Sequence, residues 1–273
     1  MYEADHANEG VRVVDPLGIR AAQRVAIDLP VRIDADGLCG HLFGRTRDLS
    51  STGVCLSTPS PIDLKSVRQV QISLDNTTMV LPVVGLWTRD DAQEGSVLSG
   101  FEFDPLASAQ KTALRDLVHE RSRRVSRFLE DQTVLGDLGD EDLLGLASVT
   151  RMKTIPAGHF VHRQGETDPG GGSLYVIRRG QVTLQLRLRD RVEMPILQLS
   201  PGDILGGLPL IGEIGQPDSA VANDNLELFE IDSLAFRFLR INRPWLAHRL
   251  TSLLVRIHVE RLANALDAAV HCR

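Results

Sequence analysis

Two blocks of short apolar runs, each cut by turn residues and each followed by a helical stretch, constrain the chain most. From Arg24 the sequence alternates. Val25, Ile27, Leu29, Val31 and Ile33 stand at every second place, the period of a half-buried strand. Asp34-Ala-Asp-Gly37 is turn-like. Further short strands are predicted around Leu42–Thr46 and Val54–Ser57, with a turn at 48–53 between them, then at Val67–Leu74, Met79–Thr88 and Ser96–Phe103. Six short strands at regular spacing predict a small all-β barrel or sandwich. Pro105 then suits a helix start, and Leu114, Leu117, Val118, Val125, Phe128 and Leu129 repeat at helical spacing to about Glu130. Arg121, Arg123, Arg124 and Arg127 on its other faces read as a solvated surface or as an anion or partner site, the first preferred.

The second block opens near Asp131. Asp140 is expected to cap a helix whose acidic first turn suits the dipole. Strand-like runs at Leu174–Ile177, Val182–Leu188, Pro195–Leu199 and Leu226–Ile231 are punctuated by glycines, predicting a second β-roll. Pro244 opens a terminal helix to about Val270. Its stripe of Leu246, Leu250, Leu253, Leu254, Ile257, Leu262 and Leu266 is either a dimer seam or a core-facing stripe, the seam preferred.

Composition narrows the function. In 273 residues no apolar run reaches the roughly 18 needed to span a membrane, and the polar start MYEADHANEG lacks a secretory leader's features. Cys39, Cys55 and Cys272 are widely spaced and odd in number, which fits the cytoplasm better than a disulfide framework. The formal charge of −6 divides evenly between residues 1–130 and 131–273, so neither half offers the basic surface that covers DNA phosphates. The sequence shows no carboxylate cluster for metal and no nucleophile–base pair. Gly170-Gly-Gly172 lacks the Gly-Lys-Ser/Thr of a phosphate loop. His159 and His162 are expected on opposite faces of a strand, with no third ligand. No enzyme activity, cofactor or metal is expected.

Two motifs carry chemistry in the first block. Arg20-Ala-Ala-Gln-Arg24 precedes the first strand, and Asp48-Leu-Ser50-Ser-Thr-Gly53 lies between the second and third. Paired arginines fork onto phosphates or onto the O6 and N7 acceptors of guanine. A carboxylate accepts from guanine N–H groups, a hydroxyl serves either partner, and a glycine admits a bulky ligand. The local alternative is that Asp48 and Ser50 only satisfy their own turn. Together with VVGLWT and SGFEF, these motifs resemble the PilZ family over about residues 19–120. The resemblance implies a cyclic di-GMP site at the mouth of a barrel, formed by Arg20, Arg24, Asp48, Ser50 and Gly53. It also implies that the Arg20–Arg24 segment is flexible until the ligand folds it onto the barrel. Trp87 is expected to pack in the core rather than to stack on ligand.

Pro156-Ala-Gly-His-Phe-Val161, Gln164-Gly165-Glu166, Ser173–Gly180 and Leu199-Ser-Pro-Gly-Asp203 resemble the cyclic-nucleotide-binding (cNMP) fold of catabolite activators and protein kinase A regulatory subunits, over about 130–273. In that family a glutamate holds the ribose 2′-hydroxyl and an arginine before Ser/Thr-Ala pairs with the cyclic phosphate. Here Gly207 replaces the glutamate and Asp218 the arginine, ahead of Ser219 and Ala220. Losing the charge-assisted bond costs about 1.5–3 kcal/mol, and an acid facing an anion adds repulsion. The cassette is therefore degenerate, either a structural or dimerising fold or a pocket retuned for another ligand.

The fold class expected is mainly β with helices: a six-stranded PilZ barrel, a connecting helix, and a cNMP-type roll with a C-terminal helix. Residues 1–19 are a flexible lead-in, 20–130 the first domain with its helix, and 131–273 the second with a terminal dimerisation helix. The implied protein is a cytoplasmic cyclic di-GMP receptor, homodimeric through its last helix, that relays the signal through the 106–130 helix to a downstream protein. With Arg273 closing the last helix, no helix-turn-helix and no DNA partner are expected. The alternative is a dual sensor of cyclic di-GMP and a cyclic mononucleotide.

Overall fold

The computed structural model describes residues 24–37, 41–74, 77–91, 95–166, 172–187, 192–212 and 214–271. The expected first strand is divided in two, β1 (Arg24–Val25) and β2 (Pro30–Ala35). Then come β3 (Leu42–Ser50), β4 (Gly53–Thr58), β5 (Val67–Leu74), β6 (Thr77–Asp91) and β7 (Ser96–Phe103). The order β3-β2-β5-β6-β7-β4, with β4 returning to β3, closes a six-stranded antiparallel barrel. Alternation sends Val31, Ile33, Leu56, Ile72 and Phe101 to its interior. Closure removes sheet edges, and bulges between Thr46 and Asp48 and between Gly85 and Trp87 supply bends. β1 lies outside this ring, on the far end of β3.

In the first turn of helix α1 (Ser108–Gln132) the Gln110 side chain accepts from the Ala107 N–H (3.0 Å) and donates to the Val80 carbonyl (2.9 Å). At 1.5 Å per residue the helix is about 37 Å long. Leu114 near its start is buried in the barrel core, while Val125 and Leu129 near its end are buried in the core of the second half. One continuous helix is thus shared by both cores. Its basic faces are not uniformly solvated. Arg124 pairs with Glu120 (2.8 Å), but Arg121 lies over the Phe229 ring (5.8 Å). Burial, with Arg178 and Arg124 adding repulsion, lowers the Arg121 pKa to about 10.

A 3-10 turn at Val134–Asp137 leads to α2 (Asp140–Val149). Gly139, not Asp140, is the cap; Asp140, Glu141 and Asp142 fill the first turn. The roll follows: β8 (Arg151–Ile155), β9 (Phe160–His162), β10 (Ser173–Arg179), β11 (Val182–Arg187), β12 (Glu193–Leu199), β13 (Ile204–Gly206), the short helix α3 (Leu208–Ile211), β14 (Ser219–Ala222) and β15 (Leu226–Asp232). They form two four-stranded antiparallel sheets, β13-β10-β15-β8 and β12-β11-β14-β9. Tyr175, Ile177, Val182, Leu184 and Leu205 pack in a core drawn from both sheets.

Helices α4 (Ser233–Asn242) and α5 (Pro244–His271) end the chain's described part. Leu246, Leu250 and Leu254 are buried in the chain's own core, with Leu253 and Ile257 against it. The first half of the expected seam is therefore a docking stripe. Val255, Val259 and Leu262, 47%, 59% and 61% exposed, form a second stripe beyond it. No helix among the described residues is long and apolar enough to cross a membrane.

Candidate functional site

The first motif is organised by β3. Asp48 and Ser50 are strand residues rather than turn residues, and only Ser51 and Thr52 separate β3 from Gly53 at the head of β4. The reason is local. Ser50 is fully buried, and its hydroxyl accepts from the Gly53 N–H (3.0 Å) and the Thr52 N–H (3.2 Å), closing the connection tightly. The backbone of Arg24 pairs with Ser50 across β1 and β3, so Arg24, Ser50 and Gly53 come together. The segment after Arg24 is pinned to the same strand. Thr46 Oγ1 accepts from the Leu29 N–H (2.9 Å) and donates to the Ile27 carbonyl, while Arg45 pairs with Asp28. Arg20 lies outside the described residues.

The bulge in β3 decides where Asp48 stands. Thr46 and Leu49 are buried, and the extra residue leaves Arg47 and Asp48 half-buried side by side between them. Arg47 Nη2 donates to Asp232 Oδ2 at 2.7 Å, and each side chain is 14% exposed. β1 also lies against α1 and α2. The motif therefore stands at the junction between the barrel and the second half. Nothing in the spacing of Asp48 and Ser50 announced Arg47; its partner is 185 residues away.

Trp87 is half-buried outside the barrel core. Its indole covers Gly100, where a Cβ would come within 2.3 Å of the ring, and Arg89 lies 5.2 Å from its centroid. The expected core packing is not met: Trp87 packs on the strand surface, over Gly100.

The second motif runs from β13 through α3 to β14. Gly207, at φ +86°, caps α3 in the left-handed region. A Cβ there would stand 3.1 Å from a Leu254 δ-carbon and 3.2 Å from Leu174 Cδ1. Asp218 accepts from His162 Nε2 at 2.9 Å, with the imidazole only 6% exposed. Ser219 Oγ accepts from the Gln164 N–H (2.9 Å), and Ala220 is buried opposite His162. From α5, Arg261 donates to the Ile204 carbonyl just before the cassette. Burial lowers its pKa, opposed by Asp203 and Asp218. Burial and the neighbouring Arg261 lower His258, opposed by Asp218. His162 Nδ1 and His258 Nε2 are buried without hydrogen-bond partners among the described residues. The basic side chains facing Asp218 thus come from β9 and α5, not from the cassette itself.

His162 lies on β9, while His159 precedes it, exposed, with Nδ1 near the Ala157 carbonyl (3.2 Å). Among the described residues no group of three or more His, Cys, Asp or Glu could hold a metal.

The fold is two β-domains joined by a helix. Residues 19–120 match the PilZ domain and residues 152–242 the cyclic nucleotide-binding domain. The chain carries a PilZ domain followed by a cyclic nucleotide-binding domain, a combination of nucleotide-binding signalling modules from families that are not catalytic. It is similar to a cyclic nucleotide-binding domain from Methylobacillus flagellatus (19% identity, TM-score 0.48), which matches 56% of this chain and 85% of that one. It is also similar to the Thermus thermophilus catabolite activator protein (28%, TM-score 0.42; 49% of this chain, 61% of that one). A cyclic nucleotide-binding-like protein from Brucella abortus is 27% identical (TM-score 0.36; 43% and 97%). No curated protein matches the chain.

Proposed function

We propose that the chain is a non-enzymatic receptor for cyclic di-GMP, bound at Arg20, Arg24, Asp48, Ser50 and Gly53, that relays occupancy to its second domain. The observation that carries this reading is the pairing of Arg24 with Ser50, which joins the two motifs at one end of β3, against α1 and α2. Ordering a basic segment at a domain junction changes what the junction holds. The guanidinium of Arg24 supplies charge to the phosphates, and Asp48 supplies an acceptor to guanine.

The second domain is degenerate as a nucleotide site on this reading. Asp218 is spent on His162, and Leu254 and Leu174 crowd the place of the family's glutamate. Its role is to dimerise through the exposed stripe of α5 and to contact a downstream protein. Both features argue against the dual sensor.

Titration calorimetry of the full-length protein tests this. Cyclic di-GMP gives heat, Arg24→Ala abolishes it, and cAMP and cGMP give none. Silence with cyclic di-GMP refutes the receptor, and heat with cAMP or cGMP installs the dual sensor instead.

A further inference from the structure

Arg47 has no part in the motif so far described, yet it is built into the same bulge as Asp48. Its guanidinium leaves the barrel and ends on Asp232, the last residue of β15. Asp232 has two duties. One carboxylate oxygen, Oδ1, accepts from the Ala235 N–H (2.8 Å) and caps α4; the other holds Arg47. The start of α4 is thereby tied to the strand that carries the ligand motif. Both side chains are largely withdrawn from water, where an ion pair is screened little and an unpaired charge is costly. α4 in turn packs on α5 through the core that holds Phe236, Leu239 and Leu250.

We infer that Arg47 and Asp232 form an interdomain latch that an anionic ligand at the Asp48 bulge opens, by taking Arg47 for its phosphate. The inference rests on the cyclic di-GMP reading and adds the regulation of that site. Asp48 and Arg47 share one irregular turn of strand, so a ligand that engages Asp48 brings its phosphates beside the Arg47 guanidinium. A phosphodiester offers arginine the same forked acceptor geometry as a carboxylate, with the same single negative charge. Once Arg47 leaves, Asp232 keeps its cap but loses its tie, and α4 is released from the barrel.

Linkage makes this measurable. If the ligand must break the pair, removing the Asp232 charge beforehand tightens binding by the coupling factor, about 5- to 150-fold. Removing Arg47 does the opposite, because it deletes the group the phosphate takes. A merely structural ion pair moves affinity in one direction whichever partner is lost.

The test uses full-length protein, calorimetry with cyclic di-GMP and hydrogen exchange of α4. Asp232→Asn is the central variant, since asparagine caps a helix as well as aspartate does and the fold is kept. It is expected to bind at least about fivefold tighter, and its α4 amides, without ligand, exchange as fast as those of ligand-bound wild type. Arg47→Gln is expected to bind more weakly with the same raised exchange. Wild-type binding with Asp232→Asn unchanged or weaker overturns the latch and leaves the receptor standing. Absence of cyclic di-GMP binding by wild type and by Asp232→Asn overturns both.

Discussion

Restoring the family's glutamate at Gly207 should harm the second domain rather than repair a nucleotide site. Gly207 sits at φ +86°, where a residue with a Cβ costs about 1–2 kcal/mol. The Cβ would also stand 3.1 Å from one Leu254 δ-carbon, and 3.2 Å from the other and from Leu174 Cδ1, and both leucines are fully buried. Forcing extra atoms into such packing costs about 1–3 kcal/mol. Gly207→Glu should therefore destabilise by about 2–5 kcal/mol, a drop of about 1–2 M in the urea midpoint. Gly158→Ala is the control. It has φ +76° but nothing within 4 Å, so it should lose only the backbone share, about 1–2 kcal/mol. Denaturation is followed by circular dichroism and by Trp245 fluorescence in a Trp87→Phe background, which reports α5. Gly207→Glu with Asp218→Arg should still give no heat with cAMP, because the new arginine faces Arg261 and His258 and leaves His162 without its acid. A wild-type midpoint for Gly207→Glu, or cAMP bound by the double variant, refutes the account of the cassette.

Val255, Val259 and Leu262 are spaced four and three apart on one exposed face of α5, the spacing of a helix–helix seam. Light scattering should give about twice the 30.0 kDa chain mass for wild type and one chain for Val259→Glu; a monomeric wild type refutes the seam. The Asp34 carboxyl on β2 is held below its ordinary value of 3.8, chiefly by the hydrogen bond from Gln69, against desolvation, with Gln71 and Arg32 assisting. A lowered carboxylate stabilises the fold above the unfolded value and ceases to do so as pH falls through the folded one. Wild type should thus lose stability below about pH 4 faster than Asp34→Asn, and parallel acid titration curves of the two refute this.

Much of the fold was legible because its signals are local. Alternation at Val31–Ile33 and at Val67–Leu74 is the strand period itself, and the helical spacing of Leu114 to Leu129 needs no partner to be read. The failures are also local in cause. Residues 26–29 look like strand by alternation, but Thr46 takes their backbone groups through its hydroxyl, so the strand breaks into β1 and β2. The Asp-x-Ser-x-x-Gly pattern reads as a turn because its residue types favour turns. The bulge at Arg47 nevertheless keeps Asp48 and Ser50 in β3. On α5 the apolar stripe is visible, but that Leu246, Leu250 and Leu254 dock on the chain's own core with Leu253 and Ile257 against it, while Leu262 stays exposed, depends on where the roll ends beneath the helix.

The chemistry that escaped the sequence is the chemistry of distance. Asp218 was recognisable as an acid in an anion's place, but not as the partner of His162, 56 residues earlier, nor as a charge felt by Arg261 and His258 from α5. Arg47 belongs to a motif whose pattern ignores it, and only the closed barrel and the cap of α4 bring it to Asp232. These two clusters share a logic. At each, an acid of the second domain is answered by a basic side chain from a different element, His162 of β9 for Asp218 and Arg47 of β3 for Asp232. Arg47, beside Asp48, ties the start of α4 to the barrel, and on the latch proposed above this tie is where a ligand of the first domain acts on the second.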